Sequence, residues 1–314
     1  MVSRLAPPVA AGLLAALLFL SLALKPGSLM FGILGTLSPL PLMVVALSLG
    51  QIGAALAIAV GAVAVVAVTG SALVTFFLVM AGLPVLVVAN RALLWRQDSA
   101  GTVEWYPAGR VVGWLVVLVL AVLALVTLIG MGHPGGLQGW IGQSVNHTLT
   151  VIGGNLPEAE RQKMAGMLTR ILPAVLMLMW LVTTAINAAF AQVTLVRFGH
   201  ARRPSPTLAE LNPPDWLAAL LVVVLAAWGL GGGTVAYLAS NLVAVALFPF
   251  ALLGVATAHH AIAGRPGAAM GLVALYAIMF LALAWALALA AILGLVMFVK
   301  MRAAHYRPGG GKEN

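Results

Sequence analysis

The sequence predicts an all-α integral membrane protein, a polytopic helical bundle of eight transmembrane helices with a nine-span alternative. Two observations predict it. Hydrophobic residues fill 63% of the 314 positions and charged residues only 7%, where a soluble domain is about one quarter charged. The apolar residues are also gathered into runs close to the ~20 residues a helix needs to cross a hydrocarbon core. The runs lack the alternation of barrel strands, and in lipid every peptide group needs an internal partner, so each run reads as a helix.

Apolar runs occupy residues 8–24, 28–50, 52–69, 71–90, 111–131, 171–196, 215–230, 234–258 and 268–299. Lys25-Pro26-Gly27 separates the first two as a tight turn, so the first run reads as a retained helix and not a cleaved leader. Arg91, Arg96 and Arg110 bracket one short loop, and Arg197, Arg202 and Arg203 open another. Short Arg-rich loops stay on the cytoplasmic side. This places the N-terminus on the cytoplasmic side and residues 132–170 outside. Within that external segment Leu137, Trp140, Ile141, Val145, Leu149 and Ile152 recur at helical spacing, the pattern of an interfacial helix. Gly153-Gly154 ends it, and Pro157-Glu158 opens the next helix with Glu158 and Glu160 in its first turn.

The run at 215–230 is the shortest. If it enters the membrane without crossing, Lys300, Arg302, Arg307 and Lys312 of the tail fall inside with the other basic loops. Only Lys25, Arg161, Lys163, Arg170 and Arg265 then lie outside. A full crossing gives nine spans and splits the basic residues evenly, a poorer fit to the charge rule; a split of the final segment is the further alternative.

Composition also excludes functions. The net charge of +9 is scattered over segment ends and forms no basic face for nucleic acid. With no cysteine there is no thiolate chemistry, disulfide or cysteine metal site. Apart from Asp215 at the very edge of its run, the apolar runs hold no Asp or Glu, which removes a carboxylate inside a span for proton coupling, paired-carboxylate hydrolysis or a carboxylate metal centre. His259 and His260 are adjacent, so on a helix they point apart and do not chelate one metal. The stretch Gly229 to Thr234 lacks the Gly-Lys-Ser/Thr ending of a phosphate loop. The expectation is a protein that is not an enzyme and has no cofactor or metal.

What remains are polar residues inside apolar helices. Thr183 and Asn187 are four apart, as are Tyr237 and Asn241, so each pair shares a helix face. These four are the ligand-binding candidates, and the alternative is interhelical hydrogen bonding. The absence of buried charge favours a neutral or weakly polar ligand of unknown identity. Small residues at four-residue spacing, among them Ala11/Ala15, Gly53/Ala57/Gly61 and Ala282/Ala286/Ala290/Gly294, form smooth strips that admit close helix approach. They serve either internal packing or a membrane partner.

The motifs Ser38-Pro39-Leu40-Pro41, Leu49-Gly50-Gln51, Ala81-Gly82-Leu83-Pro84 with Asn90-Arg91, Asn212-Pro213-Pro214-Asp215-Trp216-Leu217 and Asn241-Leu242 resemble the YybS-like family of bacterial membrane proteins. That family is distantly similar to the substrate-binding S components of energy-coupling-factor transporters. The resemblance implies a six-helix S-component-like bundle over residues 1–198, additional C-terminal helices over 199–300 and a short basic tail over 301–314. It also implies that Ala11, Ala15, Gly53, Ala57 and Gly61 dock a coupling subunit, since S components dock their partner through small-residue strips on the first and third helices. Two function classes follow: a substrate-binding or transport-related component without its own energy source, or a non-catalytic membrane scaffold that binds other proteins.

Overall fold

The computed structural model describes residues 2–24, 28–152 and 157–305. The turn at Lys25-Pro26-Gly27, the helix stop at Gly153-Gly154 and the tail cations Arg307 and Lys312 lie outside the described residues. The helices in chain order are α1 (Val2–Leu24), α2 (Leu29–Thr36), α3 (Pro39–Leu49), α4 (Gln51–Thr69), α5 (Val74–Phe77) and, after a π turn at Leu78–Gly82, α6 (Leu83–Ala92). A short hairpin of β1 (Trp95–Gln97) and β2 (Val103–Trp105) leads to α7 (Ala108–Gly130), α8 (Gly136–Ile152) and α9 (Glu158–Arg197). The last four helices are α10 (Asp215–Leu230), α11 (Gly233–Ile262), α12 (Ala268–Leu281) and α13 (Leu283–His305).

Among the described residues, eight helical stretches are long and apolar enough to span a membrane, with α2–α3 and α5–α6 each counting as one. The all-α polytopic class is therefore present. α10, at 16 residues, falls short of a span. The final run at 268–299 is split, the alternative that the sequence left open. It breaks at Ala282 (φ −130°, ψ 45°), which leaves α12 as a separate 14-residue helix and α13 as the span. No proline or glycine marks this break, so hydropathy alone runs across it. The helix start after Pro157 lies where expected, but α9 continues for 40 residues, about 60 Å. That is twice the ~30 Å hydrocarbon thickness, so part of α9 projects from the bilayer.

The chain divides into two compact units: residues 1–118 with 179–206, and 119–178 with 207–314. The division runs through α7 and α9 and not at one point in the chain. In the first unit α1 packs on α4. A β-carbon on Gly12 would overlap the carbonyl oxygen of Ala57, and one on Gly61 would lie 2.7 Å from the Phe77 ring. Phe77 is fully buried there and meets Phe19 edge-on at 5.3 Å between ring centres.

In the second unit α8 lays Val145 and Leu149 against Ala165 of α9, flanked by Ile141, Leu168 and Leu172. The amphipathic pattern read from the sequence thus forms a helix. Its apolar face is covered by the first turns of α9. α11 and α13 cross at Gly254 and Gly294, where a β-carbon on either would overlap the other helix's carbonyls, those of Ala290 and Phe250. The Ala290/Gly294 part of the last small-residue strip makes this contact, while Ala282 sits at the break.

Candidate functional site

Prolines inside these helices create the polar problem that organises the site. A proline has no N–H to return to the carbonyl four residues earlier, and in hydrocarbon no water replaces the lost bond. In α9, Pro173 leaves the carbonyl of Thr169 without its ordinary helical donor. The Tyr237 hydroxyl donates to that oxygen at 2.9 Å. One residue on, the N–H of Ala174 donates to Asn241 Oδ1 at 2.8 Å, and Asn241 Nδ2 donates to the carbonyl of Tyr237 at 2.9 Å. Tyr237 and Asn241 are both buried. The two side chains share a helix face, and that face binds the backbone of α9.

The first unit holds one carbonyl freed at a turn and one freed by a proline. Between α2 and α3 the N–H of Leu40 turns to the carbonyl of Leu37 instead of Thr36. Asn187 Nδ2 donates to the carbonyl of Thr36 at 2.9 Å and to that of Thr183 at 2.7 Å. At the same break Ser38, buried in the core, donates its hydroxyl proton to the carbonyl of Ala15 at 2.9 Å. Pro84 cannot serve the carbonyl of Met80, and Trp180 Nε1 donates to it at 3.0 Å. Trp180 and Ser38 were not singled out by the sequence. The prolines four and one residues beyond their acceptor and hydroxyl were the available signal.

Asn187 is 1% exposed, and its Oδ1 has no hydrogen-bond partner among the described residues. The amide cannot simply be reversed, because that would set its oxygen against two carbonyls. Thr184 beside it is also buried, and Thr183 is half-buried. Asn187 belongs to the first unit and Tyr237 and Asn241 to the second.

Of the docking candidates, Ala11, Ala15, Ala57 and Gly61 are buried and Gly53 is partly so. The α1–α4 contact runs over this strip, with Gly12 at its closest approach.

One end of the first unit is closed by arginines. Arg202 donates from Nε to the carbonyl of Ser48 at 2.6 Å and from Nη2 to that of Leu49 at 3.0 Å. Arg203, buried, donates from Nη1 to the carbonyls of Ala92 at 3.0 Å and Tyr106 at 3.1 Å. The last carbonyls of α3 and α6 are thus met by cations, where the helix dipole favours them. The hairpin sits at the same end. Glu104 accepts from Arg96 Nε at 2.7 Å and raises that guanidinium pKa above its ordinary value. His259 Nδ1 lies 2.9 Å from the Tyr276 hydroxyl, and His260 is exposed.

Eight candidate spans and polar groups engaged mainly with backbone define a polytopic helical membrane protein. The chain belongs to the family described as Predicted membrane protein (DUF2232), whose model matches residues 13–296. No curated protein and no solved structure matches it.

Proposed function

We propose that the chain is a non-catalytic scaffold of the bacterial inner membrane that binds other proteins at the bilayer. The observation that carries this reading is the use of Asn187, Tyr237 and Asn241 to satisfy backbone groups at helix breaks. A solute site in a membrane needs several convergent polar groups left for the ligand. Here most of them already have partners. The small-residue strip is covered by the α1–α4 contact, so a partner would meet other surfaces, among them the projecting α8–α9 pair.

A second reading, a substrate-binding or transport-related component, is favoured by one observation. Asn187 Oδ1 is a buried acceptor without a donor, able to receive a neutral ligand's N–H or O–H. The likeness to S components belongs to this reading, and a coupling subunit would then supply the energy. Native mass spectrometry of the protein purified in mild detergent separates the two. The scaffold reading expects a retained protein partner and no small molecule. A retained small molecule that disappears in Asn187→Leu would replace it with the transport reading.

A further inference from the structure

We infer that the arginine-closed end of the first unit is a binding surface for anionic phospholipid headgroups, with the β1–β2 hairpin lying on the bilayer. The inference stands apart from the scaffold reading and rests on the hairpin's two faces. Pairing sets Trp95 opposite Trp105 and Gln97 opposite Val103, so these four side chains share one face, and Arg96 and Glu104 share the other. The hairpin is therefore amphipathic. Trp95 is 58% exposed and Val103 44%, which is costly in water and suited to a headgroup layer.

The hairpin is tied to membrane depth by its own base. The Trp114 indole N–H, on α7 about two turns inside a candidate span, donates to the Tyr106 hydroxyl at 3.1 Å. Tyr106 directly follows β2. The guanidinium of Arg91, from the end of α6, lies 3.9 Å from the Trp114 ring centre. The apolar face of the hairpin is thus continuous with the interfacial level of α7, which fits a lipid surface better than a soluble acidic partner.

Charge at this end is one-sided. Arg110 in the first turn of α7 and Arg197 at the end of α9 are exposed. The two carboxylates of the first unit are both engaged: Glu104 holds Arg96, and Asp98 Oδ1 accepts from the N–H groups of Ala100 and Thr102 in the hairpin turn. The exposed guanidiniums can therefore meet phosphodiester oxygens, to which arginine's fork of donors is matched.

The test reconstitutes the full chain in nanodiscs of phosphatidylcholine with phosphatidylglycerol and measures by native mass spectrometry which lipid stays bound. Phosphatidylglycerol should be enriched over its share in the bilayer. Arg110→Gln with Arg197→Gln should reduce that enrichment by about fivefold per arginine, and Arg110→Lys with Arg197→Lys should keep most of it. In the unmodified discs, Trp fluorescence should be quenched by a lipid with a headgroup-level nitroxide, and part of that quenching should vanish in Trp95→Phe. Enrichment that is absent, or that the Gln variant leaves intact, overturns the inference. So does displacement of the lipid by inorganic phosphate, which would mark a free-anion site, or capture of a soluble protein at these arginines in place of lipid. The Trp95 measurement stands even if the Gln variant fails to fold, and unquenched Trp95 counts against the surface.

Discussion

At the scale of residues, Trp180, Asn187 and Tyr237 each donate to a carbonyl that lacks its ordinary helical donor. Trp180→Phe removes the donor to Met80 while keeping an aromatic ring, and should lower stability by about 1 kcal/mol, the size of an interhelical hydrogen bond in lipid. Thermal unfolding in detergent reads this directly, and an unchanged midpoint would mean that the Met80 carbonyl does not need Trp180. The prolines that create these breaks were visible in the sequence. Their partners were not. The donor to Met80 is 100 residues away in the chain, that to Thr36 is 151, and that to Thr169 is 68. Spacing along one helix correctly grouped Tyr237 with Asn241, but no local pattern could reveal that their face meets a proline on α9.

Helices pack here through backbone contact. Gly254 and Gly294 meet where α11 crosses α13, and any side chain there must displace a carbonyl. Gly254→Ala should therefore cost about 1–3 kcal/mol. Gly166, within α9, has nothing near the position of an added β-carbon. Gly166→Ala should be neutral or stabilising by up to about 1 kcal/mol, since it removes backbone freedom from the unfolded chain. Equal effects of the two substitutions, measured as shifts in the unfolding midpoint, would contradict the close crossing. Small-residue strips were legible as sequence. Which strips meet each other depends on tertiary packing: Gly254 and Ala258 are also small residues four apart on α11, but nothing local says that Gly254 meets Ala290 and Gly294. A split of the final run was open from its length, but its position at Ala282 was not legible for a related reason: the hydrophobic signal is continuous through it, and no helix breaker stands there.

For the whole molecule, charge bias and one ion pair together make a prediction about sidedness. Between Arg203 and Asp215 the chain has only a single helical turn at Ala209–Leu211, too short to cross a bilayer. Arg302 donates to Asp215 and, at 3.0 Å, to the carbonyl of Pro213. Of the helices in this stretch, α11 and α13 are long and apolar enough to span, and two crossings would return the chain to the side it left. Reporter fusions after Arg203 and after Lys312 should accordingly both report the cytoplasm. Opposite signals would require an odd number of crossings after Arg203 and would restore the nine-span arrangement. The number of long spans was largely readable from hydropathy because a bilayer imposes one length on every crossing helix. The 40-residue α9 escaped that reading, since its first turns are amphipathic and pack on α8 instead of meeting lipid.

The central claim is that the buried polar groups mend proline breaks, and a double-mutant cycle between Tyr237 and Pro173 tests it most directly. Tyr237→Phe deletes only the hydroxyl that serves the Thr169 carbonyl. Pro173→Ala restores the N–H that would serve it within α9, so the hydroxyl becomes redundant. Unfolding free energies in detergent should show Tyr237→Phe costing about 1 kcal/mol in the natural chain and close to nothing in the Pro173→Ala background. The same cost in both backgrounds would contradict the account and return Tyr237 to the set of residues available for a ligand.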